Sequence, residues 1–134
     1  MIVNATPPAD WKELRARYSE MIEQFGKAWE QGLPEEMTNV FSDDAVFLAS
    51  PFDEPLRGKS AIAAYWQDVP LEQADVSFRF GEIFAAGPWF STEYKCTFRR
   101  RRTGQMIDVR GALFCETDDD KISEMRMYWH RTGA

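Results

Sequence analysis

Apolar residues recur at helical spacing from Trp11 through Leu14, Tyr18, Met21, Ile22 and Phe25 to Trp29. This is the stripe of an amphipathic helix that turns one face to a core. Asp10 and Glu13 form a capping box at its start, with Asp10 as N-cap. Gly32 supplies the stop. Pro34 suits the first turn of a second, short helix through Met37, Val40 and Phe41, ended by Asp43-Asp44. Ala45 to Ala49 is a short apolar run that predicts a buried strand. The stretch from Pro51 to Gly58 holds two prolines and predicts a loop. Ser60 is positioned to cap a third helix carrying Ile62, Tyr65 and Trp66, which stops near Pro70.

Beyond Pro70 the apolar period changes from helical to two. Val76, Phe78 and Phe80 alternate, and so do Phe90, Thr92, Tyr94, Cys96 and Phe98, with polar residues between them. Gln105 to Glu116 and Ile122 to His130 predict two further strands, joined by a turn at Asp118-Asp119-Asp120. Thr103-Gly104 marks another hairpin turn. Helices first and strands later indicate an α+β fold rather than a wound parallel sheet. Long antiparallel strands twist and curl. With helices on the concave side, the sheet becomes a cone-shaped, curved antiparallel wrapper with a cavity at its open end.

The chain has 134 residues, which fits one domain. At 44% hydrophobic it has material for a core, and a domain of this size buries roughly two thirds of its unfolded surface. The net charge of −6 disfavours nucleic acid and suits a neutral or cationic small molecule. Five Trp, four Tyr and ten Phe are enough to fill a core, line a pocket or form a dimer interface, and composition does not choose among these. With a turn at Thr103-Gly104, Cys96 falls opposite residue 110 or 111 and far from Cys115, so two free thiols and a reducing cytoplasm are expected. Met1 to Pro8 shows no basic, apolar leader pattern, and no run is long enough to span a bilayer. One His and two distant Cys do not make a zinc site, and neither a glycine-rich phosphate loop nor a serine elbow is present. Any chemistry is expected to be cofactor-free.

Several runs resemble the SnoaL-like branch of the nuclear-transport-factor-2-like superfamily. They are Phe41-Ser42-Asp43-Asp44-Ala45-Val46-Phe47, Ser50-Pro51-Phe52, Pro55-Leu56-Arg57-Gly58, Ala61-Ile62 with Tyr65-Trp66, and Lys121 to His130. The likeness runs from about Trp11 to His130 and implies a cystatin-like α+β roll, with dimers formed through the sheet. It also implies relatives as different as ketosteroid isomerases, polyketide cyclases, limonene epoxide hydrolase and binding domains, because function lives in sites grafted on a fold. Ketosteroid isomerases use a tyrosine, a carboxylate base and a protonated aspartate. Those positions fall on Phe25, on Ala49 or Ser50, and on Ala112. The Asp-Arg-Asp set of limonene epoxide hydrolase falls on Tyr94, Cys96 and Met127.

The same likeness implies which strand faces look inward: Met125, Met127 and Trp129 on the last strand, and Ala112 and Phe114 with Arg110 and Asp108 on the one before. Phe90, Thr92, Tyr94 and Phe98 join them. The candidate ligand-binding residues are thus Tyr94, Arg110, Trp129, Met127, Phe114 and Phe25, and the candidate acid–base residues are Asp108 and His130. Asp108 and Arg110 are two apart and share a face, so they serve either as a base with its partner or as a structural ion pair. His130 is the single histidine, the residue type suited to acid–base work near neutral pH, although parity turns it away from Met127 and Trp129. Asp53 and Glu54 follow the strand where relatives keep a base, but read first as a solvated turn with Arg57 as ion-pair partner. Arg99 to Arg102 flank the hairpin turn and read as a solvated tip. Three functions remain open: a pocket enzyme for isomerisation, cyclisation or hydrolysis of a small hydrophobic molecule, a non-catalytic ligand binder, and a homodimeric interaction protein with a filled interior.

Overall fold

The computed structural model describes residues 11–132; Asp10, the expected N-cap, lies outside them. Helix α1 (Trp11–Gln31) buries Tyr18, Met21, Ile22, Phe25, Ala28 and Trp29 along one stripe. It ends in a Schellman motif: Gly32 adopts φ +65°, its N–H donates to Trp29 O, and the N–H of Leu33 donates to Ala28 O. A Cβ at position 32 would also press on Pro70 at 2.8 Å, so glycine is needed twice over.

Helix α2 (Pro34–Thr38) is shorter than its pattern suggests. Val40 and Phe41 leave it because strand β1 (Phe41–Leu48) begins there, with Phe41 opposite Ile122 and the Ile122 N–H donating to Val40 O. Asp43-Asp44 do not end a helix. They occupy the irregular, exposed part of β1 where the register shifts between Phe41 and Val46. A two-residue strand, β2 (Leu56–Arg57), pairs with β1 out of the expected loop. Helix α3 (Lys59–Glu72) starts at Gly58, whose φ of +86° suits glycine, rather than at Ser60. It runs two residues past Pro70, whose carbonyl accepts a 2.7 Å bond from Arg101 Nε.

The rest is sheet. Strands β3 (Gln73–Phe80), β5 (Trp89–Arg100), β6 (Met106–Asp118) and β7 (Lys121–Thr132) follow, with a short β4 (Phe84–Ala86) that the pattern did not announce and that pairs with β5 across Gly87-Pro88. The sheet is open, in the order β2-β1-β7-β6-β5-β3. It is mixed rather than wholly antiparallel, because β1 runs parallel to β7. The α+β class and the wrapping of the sheet around N-terminal helices are as expected.

The β5–β6 register differs from the expected one by one or two residues. Cys96 faces Val109, not residue 110 or 111. The β5–β6 turn closes through Arg100 N–H to Gln105 O and Gly104 N–H to Arg100 O, with Gly104 at φ +74°, which centres the hairpin earlier than Thr103-Gly104. A one-residue slip exchanges the two faces of a strand. The buried face of β6 therefore carries Ile107, Val109, Leu113 and Cys115. Ala112, Phe114, Arg110 and Asp108 are turned to the outer face, which corrects the inward placement expected for them.

The two ends of the wrapper differ. At one end Tyr18 stacks on Phe90 at 4.4 Å, and its hydroxyl donates 2.7 Å to Gly87 O, closing the structure between α1 and the β4–β5 turn. At the other end Arg101 ties the β5–β6 hairpin to α3, its N–H donating 2.9 Å to Glu72 O, and a cavity opens beside them toward the end of β7.

Candidate functional site

The open end holds a cavity of about 730 Å³. Its walls come from Trp29 of α1, Tyr65, Trp66 and Val69 of α3, Tyr94 and Phe98 of β5, Val109 of β6 and Met127 and Trp129 of β7. Glu72, Gln73, Arg100, Arg102 and Arg131 complete the lining. The aromatic rings form a continuous cluster. Phe25 meets Trp29, Trp66 and Phe78 at 6.0, 5.5 and 5.7 Å, and Phe78 stacks on Tyr94 at 5.7 Å. Such edge-on and offset contacts fix ring orientation beyond simple burial.

Among the indoles at this end, two are tied to protein acceptors. Trp29 Nε1 donates to Gln73 Oε1 at 2.9 Å and Trp129 Nε1 to Ala49 O at 2.7 Å. Trp66 Nε1 has no partner, and neither does the hydroxyl of Tyr94. Both side chains are only 4% exposed. An unmatched buried polar group costs the fold free energy, and native chains pair nearly all of them. Both residues belong to the wall of the cavity. Burial, reinforced by nearby Cys96 and Tyr65, pushes the Tyr94 hydroxyl far above its ordinary range, so it is neutral and able to donate at physiological pH. Burial likewise raises Tyr65, with Asp53 and Glu72 adding to the shift.

The sequence-derived candidates divide between the two faces of the sheet. Tyr94, Met127 and Trp129 line the cavity together. Phe25 is fully buried behind it, packed against Trp29 and Trp66 rather than exposed to its space. Arg110 and His130 face each other across β6 and β7 on the outer face, in a separate depression of about 700 Å³. Asp108 accepts from Arg110 Nη2 at 3.1 Å, and Lys95 Nζ lies 3.9 Å away. The Arg110 hydrogen bond and the two cations hold the Asp108 carboxyl below its usual range, which weakens it as a base. Phe114 is 42% exposed on the same outer face, beside Tyr128 at 5.7 Å. Asp53 and Glu54 are exposed, as a solvated turn requires. Cys96 and Cys115 are buried free thiols.

Trp66 and Tyr65 had no place among the candidates, although their adjacency on α3 was visible; both line the cavity because α3 lies across the concave side. The arginine run also reads differently. Arg99 is held by Asp75 at 3.0 Å and Arg101 by Pro70 O, whereas Arg100 and Arg102 reach the cavity. Among the described residues no cluster of His, Cys, Asp or Glu is suited to a metal ion, and no helix is long and apolar enough to cross a membrane.

Helices seated in an open mixed sheet, with a solvent-reached cavity of aromatic walls and polar rim at one end, define a pocket fold of the ketosteroid isomerase and nuclear-transport-factor-2 type. Residues 22–125 match the SnoaL-like domain, and the chain belongs to that family. Among curated proteins none matches the sequence. Solved structures similar to it include a Bacillus subtilis protein provisionally assigned as an isomerase (22% identity, TM-score 0.77, covering 86% of this chain and 87% of that one). A Mycobacterium tuberculosis epoxide hydrolase of the limonene epoxide hydrolase type shares 17% identity at TM-score 0.73, covering 87% and 85% of the two chains. Another M. tuberculosis protein, solved in complex with estradiol-17beta-hemisuccinate, shares 16% identity at TM-score 0.74 and covers 87% and 98%. At these identities the likeness establishes the fold alone.

Proposed function

We propose that this chain is a single-domain small-molecule pocket protein. Its cavity takes a mostly hydrophobic ligand bearing a carbonyl or hydroxyl, which the Tyr94 hydroxyl and the Trp66 N–H bind. The observation that carries the reading is the pair of unpartnered buried donors in the wall of an aromatic cavity. Trp129, anchored by Ala49 O, and Met127 supply apolar contact. The steroid ligand of one structural neighbour supports the same class of occupant. A neutral Tyr94 hydroxyl is also suited to polarise a carbonyl, so cofactor-free acid–base chemistry on such a ligand is the catalytic form of this reading. In either form Asp108, Arg110, His130 and Phe114 take no part, because they lie on the far side of the sheet.

Two further properties go with it. The outer face shows Phe84, Trp89 and Phe114 at 61%, 56% and 42% exposure, an apolar patch suited to pairing two copies of the chain through their sheets. The two unbridged cysteines suit a reducing cytoplasm.

The test is a thermal-shift screen of hydrophobic ketones, alcohols and esters, followed by mass spectrometry of each hit for turnover. Hits are measured again on Met127→Trp, which fills the cavity, and on Tyr94→Phe. Binding lost in the first and weakened in the second supports the reading. Hits that bind both variants as well as the parent protein refute it.

A further inference from the structure

The overall charge of −6 argues for a neutral or cationic ligand, but the cavity mouth has the opposite sign. Arg100, Arg102 and Arg131 line it against one carboxylate, Glu72. Arg100 ends β5 and Arg102 lies in the turn that follows, so one hairpin brings both to the mouth. Arg99 is tied to Asp75 and Arg101 to Pro70 O, while Arg100 and Arg102 line the cavity. Arg131 arrives two residues after Trp129 on β7, on the same side of the strand. Among the described residues no carboxylate lies within ion-pair distance of Arg102 or Arg131, while the ion pairs of Arg15, Arg99, Arg110 and Arg126 show that acids are available elsewhere. Guanidinium groups left without acids at the rim of an apolar cavity form a focused positive field over its entrance.

We propose that the ligand is an amphipathic organic anion. Its apolar body lies among Trp29, Trp66 and Trp129, its acceptor atom meets Tyr94 and Trp66, and its carboxylate or comparable anionic group sits at Arg102 and Arg131. This rests on the reading of the cavity as a ligand site and adds the charge class of the ligand. A negatively charged protein thus selects an acid by local field rather than by net charge, and the arginines orient it with its anionic end outward.

The experiment uses two fluorescent probes with the same ring system, anilinonaphthalenesulfonate and its uncharged counterpart phenylnaphthylamine. Affinities are measured for the parent chain and for the double variant Arg102→Gln/Arg131→Gln. In parallel, NMR of methyl-labelled methionine follows Met127, in the cavity, and Met106, exposed at the start of β6. Both probes are expected to shift Met127 and not Met106. The double variant is expected to weaken the sulfonate about ten-fold, in keeping with two partly exposed ion pairs, and to leave phenylnaphthylamine unchanged. Added salt is expected to weaken the sulfonate alone. If both probes shift Met127 but their affinity ratio is the same in the variant, the anion proposal is overturned and the cavity reading stands. If neither probe moves Met127, the cavity reading falls and the proposal with it. Both substituted side chains are exposed, so the variant is expected to fold, which circular dichroism checks.

Discussion

Replacing Tyr94 by phenylalanine removes one oxygen from the cavity wall and changes little else, since the two rings have nearly the same shape. For a buried tyrosine with a protein partner, such a change loses about 1 kcal/mol of stability. Tyr94 has no such partner. Its hydroxyl lost water on folding without gaining an acceptor or donor, a situation that costs about 1–3 kcal/mol, part of which cavity water returns. The ligand-free Tyr94→Phe protein is therefore expected to range from unchanged to about 1 kcal/mol more stable. For a chain of this length that is a Tm rise of at most about 5 °C. Affinity for a carbonyl- or hydroxyl-bearing ligand is expected to fall about three- to ten-fold, the worth of one hydrogen bond. Urea unfolding of the ligand-free protein reads the first quantity and ligand titration the second. Tyr18→Phe is the internal control: that hydroxyl donates 2.7 Å to Gly87 O, so its loss is expected to cost about 1 kcal/mol. If Tyr94→Phe loses as much stability as Tyr18→Phe, the Tyr94 hydroxyl is already satisfied within the fold and the argument for a waiting ligand site fails.

Gly111 lies between Tyr94 and Trp129 in the sheet, and a Cβ there would run into the Tyr128 carbonyl and lie 2.8 Å from Trp129 Cα. Gly111→Ala is expected to cost at least about 2 kcal/mol by urea unfolding, because strand backbone yields less readily than a side chain. Burial pushes the Cys96 thiol up to about 12, and Cys115 is raised further, so native-state alkylation at mildly alkaline pH is expected to be at least about a hundred-fold slower than in the unfolded chain. The same shifts set a pH dependence. The folded thiol keeps its proton from 9.0, its usual value, up to about 12 while the unfolded thiol loses it, so stability is complete below pH 9.0 and declines as pH rises through that window. Denaturant midpoints measured across it check the sign; a constant midpoint would show that the thiols are solvated. Asp108→Asn and His130→Ala are expected to leave ligand affinity and any turnover unchanged, and a loss of either would return those residues to the site.

Much of the fold is legible in local pattern. The stripe from Trp11 to Trp29, the Gly32 stop and the alternation of Phe90 to Phe98 each follow from a period that a segment carries by itself, and the structure keeps all three. The alternation of β5 marked the face that carries Tyr94, while the inward face of β7 was implied by the family resemblance and not by its own period; Tyr94, Met127 and Trp129 line one cavity. The face of β6 was not legible. Its sequence, Met106 to Asp118, has apolar residues on both sides, with Ile107, Val109 and Leu113 on one and Ala112 and Phe114 on the other. Only the closure of the hairpin at Gly104 decided between them, turning Asp108 and Arg110 outward. The site's remaining parts depend on contacts between distant segments. Trp66 becomes an unpartnered donor because α3 crosses the sheet, and Arg100 and Arg102 reach the mouth because the hairpin that carries them closes against α3. Periodicity records which side of a segment avoids water, whereas a binding site is a meeting of segments, set by register and packing that no single stretch of chain contains.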